Sequence, residues 1–418
     1  MVSSRRRFLA SAGIAGLGLA GLAGWRLWPE QGILNPCLGA LPQALAQHPL
    51  VREAWSGLDP ARVWDTHVHL LAVGDGNGGS GAAFNSAHGL LRWSWSELQR
   101  YFFLNAACID DDSRIDQALV ASLLALVATM PVGHKLLLLA IDAWYDANGI
   151  ASRQHTHLHI GNDYCASVAQ TAPARFEWAA SVHPYRQDAL AELEKVKRLG
   201  ARALKWIPAA QGIDPASPQC DRFYESLARL DLPLISHAGD ERAMPGDDTL
   251  GNPLRLRRAL EHGVRVVVAH CASLGASRDL DRGTGRQSAV DNFTLFERMM
   301  DEPAHAGRLF GDLSALTQSA RAGLPLKRVL ERAREGGDWA GRLLNGSDYP
   351  LPAIMPLYSP RQLAESGYLA AAAIEPLTAI RRHHPLLFDF VLKRQLRLGG
   401  QGLAASVFET RRFFTGGI

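Results

Sequence analysis

Val63-Trp64-Asp65-Thr66-His67-Val68-His69 is a short run that ends in side chains able to hold a metal. In an extended chain alternate residues share a face, so Asp65, His67 and His69 are expected to project together. The same construction recurs seven more times. Lys135–Asp142, Trp178–Pro184, Ala203–Pro208, Pro233–His237, Val264–His270, Leu309–Ser314 and Arg342–Asp348 are each short, largely apolar and closed by polar groups. Near-continuous apolar runs suit parallel strands buried on both faces. Helical stretches such as Ala189–Leu199, Cys220–Leu230 and Pro253–His262 fall between them. Alternating strand and helix implies a parallel sheet, and eight such units predict an α/β chain closed into a (β/α)8 TIM barrel. A doubly wound open sheet is the alternative. The first strand does not run directly into a Gly-rich phosphate turn, which argues against it.

Two regions depart from the repeat. A long insertion, about 71–133, separates the first two strands. It opens with the Gly-rich stretch Gly74–Gly81 and continues through Trp93–Met130, which reads as helices. Loops that follow barrel strands lie at the mouth, so this insertion is expected to cap it. Residues 359–418 read as a helical C-terminal extension, clearest at Pro385–Leu396, where the proline suits a first helical position. The barrel proper is expected over 63–358, preceded by a linker over 31–62.

Residues 1–30 read as an address. Ser4-Arg5-Arg6-Arg7-Phe8-Leu9 has the form of a twin-arginine export signal, with an apolar run to about Trp25 behind it. The partner implied is the twin-arginine export machinery, and the location periplasmic or periplasm-facing. Ala44-Leu45-Ala46 resembles a cleavage site but lies far beyond the apolar run, and Leu34-Asn35-Pro36-Cys37 is a poor lipobox. An uncleaved anchor in the inner membrane is therefore the alternative, because the run approaches the ~20 residues that span a bilayer.

The 418 residues carry 44 basic and 41 acidic side chains, a net charge of +3 that leaves no electrostatic footprint for nucleic acid. Five cysteines without a C-x-x-C pair exclude a disulfide framework or zinc ribbon, while leaving room for an isolated bridge in an oxidising compartment. A small-molecule substrate is the expected partner, and a homo-oligomer is compatible with the sequence.

The chemistry is concentrated at strand ends. His67 and His69 close the first run, His237 the fifth, His270 the sixth and Asp348 the eighth. This is the end of a barrel strand where active sites form. A buried imidazole or carboxylate also needs a partner to offset its desolvation. Together they suit one divalent metal ion. Lys205, on the fourth run, is a candidate metal bridge if carboxylated; otherwise it pairs with Asp348 or contacts substrate. His155, His157 and His159 follow the second run and offer either a second metal site or a polar loop at the mouth, the reading we favour. His157, His159, His183 and Arg242 are candidate substrate contacts.

The ordered motifs Asp65-Thr66-His67-Val68-His69, Leu234-Ile235-Ser236-His237, Val268-Ala269-His270 and Gly346-Ser347-Asp348-Tyr349-Pro350 resemble the amidohydrolase superfamily. Within it they resemble the amidohydrolase 2 family, which includes aminocarboxymuconate-semialdehyde decarboxylase. The resemblance covers about Val63 to Pro352. It implies that His67, His69, His237 and Asp348 bind one divalent metal, commonly zinc, with manganese or iron(II) as alternatives, and that His270 and Asp348 act catalytically. The expected reaction is metal-dependent hydrolysis of an ester, lactone or amide of a small organic substrate. Nonoxidative decarboxylation on the same ligands is the alternative. A noncatalytic metal-binding envelope protein is the reading of another class.

Overall fold

The computed structural model describes residues 31–71, 95–110, 114–283 and 288–416. The twin-arginine motif, its apolar run and the Gly74–Gly81 stretch lie outside these residues. Among the described residues no helix is long and apolar enough to cross a membrane.

Eight parallel strands among the described residues form the barrel: β1 (Trp64–His69), β2 (Lys135–Leu139), β3 (Phe176–Ala179), β4 (Leu204–Trp206), β5 (Leu234–His237), β6 (Val266–Ala269), β7 (Leu309–Asp312) and β8 (Leu343–Leu344). One ladder joins β1, β2 and β3, and a second runs from β4 through β5, β6 and β7 to β8. Single bridges, Ala180 to Leu204 and Val68 to Tyr349, join the two ladders at both seams. The ring is therefore closed, as the eightfold pattern requires.

The strands are shorter than their apolar runs, and β8 shows why. After Leu344 the chain turns its hydrogen bonds toward β1: Asn345 O accepts from Thr66 N at 3.1 Å, and Asp348 N donates to His67 O at 2.8 Å. The end of the eighth run thus becomes a seam that holds Asp348 beside His67.

Trp64, Leu137, Leu139, Ala179, Ala203, Ile235, Val267 and Leu344 form one buried cluster. Residues from six different strands, with Ala203 just before β4, can meet in this way only inside the ring. Phe413 and Phe414 of the C-terminal tail join the same cluster, and Thr410 Oγ1 bonds both the N–H and the carbonyl of Trp64. A buried aromatic is worth about 3–5 kcal/mol against alanine, so the tail is part of the barrel core. Helices pack outside. Among them are Ala189–Arg198 and Asp221–Arg229, whose buried residues (Leu193 and Val196, Phe223 and Leu227) recur at helical spacing.

The insertion supplies helices Trp95–Ala106 and Ile115–Ala128. The first contacts the turn Leu351–Ala353 after β8. Its Gln99 Nε2 donates to Arg242 O in the loop after β5 at 3.2 Å, which sets this helix on the mouth side. Cys37 and Cys108 form a disulfide that ties the segment before the barrel to the end of that helix. In the C-terminal extension, Pro385–Gln395 begins with its proline in the first turn, capped by His384. Its Lys393 pairs with Asp389 at 2.6 Å and donates to Gly346 O at 2.5 Å. The extension thereby supports the turn that carries Asp348.

Candidate metal centre

β1 carries a register irregularity between Asp65 and Val68. Simple alternation is broken there. Trp64 faces the interior, and so do His67 and His69, although odd and even positions should part company on a regular strand. Asp65 does not join the two histidines as alternation predicted. It accepts from Ser347 N at 2.8 Å and His67 N at 3.2 Å, bracing the β1–β8 seam. Gly346 is needed at that seam, since a Cβ there would sit 2.8 Å from His67 Cβ.

His67 Nε2 lies 3.6 Å and His69 Nε2 3.1 Å from Asp348 Oδ1. The ligand atoms of His67, His69 and Asp348 all fall within 4.8 Å of one another, close enough to share one ion. Asp348 and the run His270–Cys271–Ala272 have left-handed backbone, with φ between 50° and 63°. That conformation costs about 1–2 kcal/mol for a residue with a Cβ. Such strain persists where surrounding contacts over-determine it, commonly at functional sites.

Below this group lies a hub that the strand-end reading did not single out. Asp312, at the end of β7, accepts from His67 Nδ1 at 2.9 Å, His270 N at 3.0 Å and Ser314 N at 2.9 Å. The Ser314 hydroxyl donates to Asp312. Its oxygen can then accept from His67 Nδ1 at 3.1 Å and His270 Nδ1 at 2.8 Å, and His270 Nδ1 also reaches Ser314 O at 3.0 Å. This network places the proton of both rings on Nδ1 and leaves the Nε2 lone pairs facing Asp348. His67, His270 and Asp312 also lie close enough together to hold an ion, but their facing atoms are already spent on these hydrogen bonds.

Charges follow the same plan. Burial, with Lys205 beside it, holds His67 below the ordinary histidine range. Burial lowers His237 well below it, and His270 to about 3. Burial pulls the Asp348 carboxyl upward, but His270, His67 and His69 outweigh it and hold the group well below the usual range. Neutral imidazoles beside an ionised carboxylate are the protonation states a divalent cation requires.

The remaining predicted residues separate. Lys205 is buried, and its Nζ meets His67 Nε2 at 3.1 Å rather than pairing with Asp348. The lone pair is thus already aimed at an electropositive neighbour. His237 stands outside the three-residue group, its ring 5.2 Å from that of His270. Its Nδ1 is buried without a partner, and its Nε2 lies 3.4 Å from Glu241 Oε2. His183 spends both ring nitrogens on the main chain, at Gln211 O and Tyr185 N. Arg242 is exposed and pairs with Asp240. His155 is exposed against Trp144. His157 and His159 are partly buried in the same loop, and none of the three enters a metal-holding group among the described residues. Glu241 and Arg321 also stand near the centre. They sit four and nine residues past their strand ends, on loops where no periodicity marks them.

Eight parallel strands with imidazoles and a carboxylate gathered at their C-terminal ends form a barrel with a candidate metal centre where barrel active sites lie. The Amidohydrolase family pattern matches residues 64–354, and the chain belongs to that family. Family members bind a divalent metal. No curated protein matches the chain. Among solved structures it is similar to an uncharacterised TIM-barrel protein from Bordetella bronchiseptica, at 14% identity over 70% of this chain and 88% of the other, with a TM-score of 0.43. A candidate 2-pyrone-4,6-dicarboxylic acid hydrolase from Pseudomonas putida shows 17% identity over 78% and 97%, with a TM-score of 0.40. A 5-carboxyvanillate decarboxylase from Sphingomonas paucimobilis shows 12% identity over 85% and 99%, with a TM-score of 0.39.

Proposed function

We propose that the protein is a metal-dependent hydrolase that adds water to an ester, lactone or amide of a small organic substrate. The observation that carries this reading is the convergence of His67, His69 and Asp348, with the bare Nε2 of His270 3.8 Å from Asp348 Oδ2. His67, His69 and Asp348 would hold one divalent ion, zinc in the first instance and manganese or iron(II) as alternatives. The unpartnered Nδ1 of His237 makes it the fourth ligand proposed. The ion supplies Lewis acidity and makes a water molecule acidic enough to lose a proton near neutral pH.

The chain's own groups do the rest. His270 Nε2 and Asp348 Oδ2 are two acceptors at a spacing that one water can bridge, donating a hydrogen to each. Asp348 takes the proton as the water oxygen bonds to the substrate carbonyl carbon. The same carboxyl returns that proton to the departing oxygen or nitrogen as the bond to it breaks. Asp312 and Ser314 hold both imidazoles in the tautomer this requires.

The reading extends to location: export by the twin-arginine route, with the N-terminal segment either removed or kept as an anchor. The Ser4–Leu9 motif and the Cys37–Cys108 disulfide support it, since such bridges persist in oxidising compartments. The reaction is tested with a panel of lactones, aryl esters and aromatic carboxylic acids, using metal-loaded and chelated protein in oxygen-18 water. Metal-dependent label in a carboxyl product is expected. Carbon dioxide release without label would assign decarboxylation, and no turnover across the panel would favour a noncatalytic metal-binding role.

A further inference from the structure

The helix Pro385–Gln395 of the C-terminal extension is buried at every residue from Pro385 to Lys393. A side chain there cannot turn its charge to water, so the Lys393 ammonium, 1% exposed, must be satisfied inside. Its Nζ donates to Asp389 Oδ2 at 2.6 Å, one helical turn back, and to Gly346 O at 2.5 Å, at the end of the eighth apolar run. A buried ion pair is weak evidence for stability, because apolar residues of similar volume often serve as well. The hydrogen bond to Gly346 O is what apolar residues could not supply.

Gly346 O is one pole of a peptide unit whose other pole is Ser347 N. That N–H donates to Asp65 Oδ1 at 2.8 Å. The peptide dipole therefore lies between an ammonium at its oxygen and a carboxylate at its hydrogen. Turning it over would set the carbonyl oxygen against Asp65 and the N–H against Lys393, each a contact between like charges. Burial raises the Asp65 carboxyl to about 6, with Lys393 among the groups that draw it back. The next peptide is held as well, since Asp348 N donates to His67 O at 2.8 Å. Asp348 then adopts its left-handed backbone, with φ at 63°. Such a conformation persists where surrounding contacts over-determine it. Two successive peptides, gripped from β1 on one side and from the extension on the other, provide that determination.

We propose that Lys393 is a positioning residue for Asp348: with Asp65 it locks the Gly346–Ser347 peptide and so delivers the Asp348 carboxylate to the His67–His69 pair. The C-terminal extension is thereby part of the metal centre while contributing no ligand to it. The consequence for metal binding rests on the metal-centre reading above, whereas the lock itself is a property of the chain.

The test compares two full-length variants with the wild-type protein at matched folding. Asp389→Asn removes the ion pair and keeps the Lys393 donor. Asp389→Leu combined with Lys393→Met removes both partners together. Three quantities are read on each: zinc affinity by competition with a chromophoric chelator, the visible spectrum of the cobalt(II)-loaded chain, and hydrogen exchange of segment 345–349 in metal-free protein. Asp389→Asn should stay within about twofold of wild type, while the double variant should bind zinc ~10–100-fold more weakly, the scale of groups that orient a metal ligand. The double variant should also show altered cobalt bands, and segment 345–349 should exchange about tenfold faster or more. A folded double variant that matches wild type in affinity and exchange overturns the proposal. So does an equal loss in both variants, which would assign the effect to the ion pair and not to the hydrogen bond on Gly346 O. If the double variant is not recovered folded, the wild-type chain decides: segment 345–349 should exchange as slowly as strand β5, and exchange at the rate of an exposed loop overturns the lock. Wild-type protein that binds no divalent metal would refute the metal-centre reading, and the exchange measurement then decides the lock by itself.

Discussion

Replacing Asp312 by asparagine tests how the centre is held without touching an atom proposed to bind metal. Asparagine has the same shape, and its single oxygen can keep the three donors now on Oδ1: His270 N, Ser314 N and the Ser314 hydroxyl. The amide nitrogen then faces His67 Nδ1, where the carboxylate accepts at 2.9 Å. Two donors cannot share that contact. The imidazole resolves the conflict by moving its proton to Nε2, the atom that faces Asp348, and the lone pair is lost from the metal side. Turning the amide over is worse, because its NH2 would meet three donors instead of one. Groups that orient a metal-binding histidine are typically worth ~10–100-fold in affinity, or ~1.4–2.7 kcal/mol. Zinc affinity of Asp312→Asn should fall by that factor in a competition titration against a chromophoric chelator, with circular dichroism confirming the fold. A folded Asp312→Asn that binds zinc within about twofold of wild type would falsify the tautomer argument.

His237→Ala should lose metal readily, whereas His270→Ala should keep it and lose ~10²–10⁴-fold in turnover; metal content and rates on both, at matched folding, decide, and an empty site in His270→Ala alone reverses the roles. Metal analysis of unchelated protein should give one ion per chain, and a reproducible value near two would point instead to a Lys205 bridge or the His155–His159 loop. Burial holds His384 down to about 4, against 6.5 ordinarily. The folded chain keeps this ring neutral, so its contribution is complete above pH ~6.5 and is lost as pH falls toward 4, by ~1.4 kcal/mol per unit. His384→Gln should flatten the acid slope of urea-unfolding free energies by about one proton, and an unchanged slope would count against this assignment. Exchanging Arg5 and Arg6 for lysine should keep the protein out of the envelope fraction; undiminished arrival there would remove the twin-arginine route.

Periodicity and strand ends were legible from the order of residues alone. Eight apolar runs, each closed by polar groups, specify a parallel barrel because both faces of every strand must be buried, and that constraint is local. His67, His69, His270 and Asp348 could be named for the same reason, since they stand where a run stops. Tertiary structure decided what depends on contacts distant in sequence. The irregularity in β1 turns His67 and His69 inward with Trp64 and sends Asp65 to the seam, an outcome set by pairing with β2 and β8 rather than by alternation. Asp312 and Ser314 sit in the seventh apolar run, yet their value arises only when β7 closes against β1 and β6. Glu241 and Arg321 lie on irregular loops, where spacing carries no information about direction. Cys37 and Cys108, 71 residues apart, could not be paired from spacing alone. The tail's Phe413 and Phe414 fill the barrel from a distance of more than 300 residues from Trp64. A sequence records which side chains a segment can bury. Which of them meet is settled by closure of the ring, where the free energy of the whole core outweighs any one segment's preference.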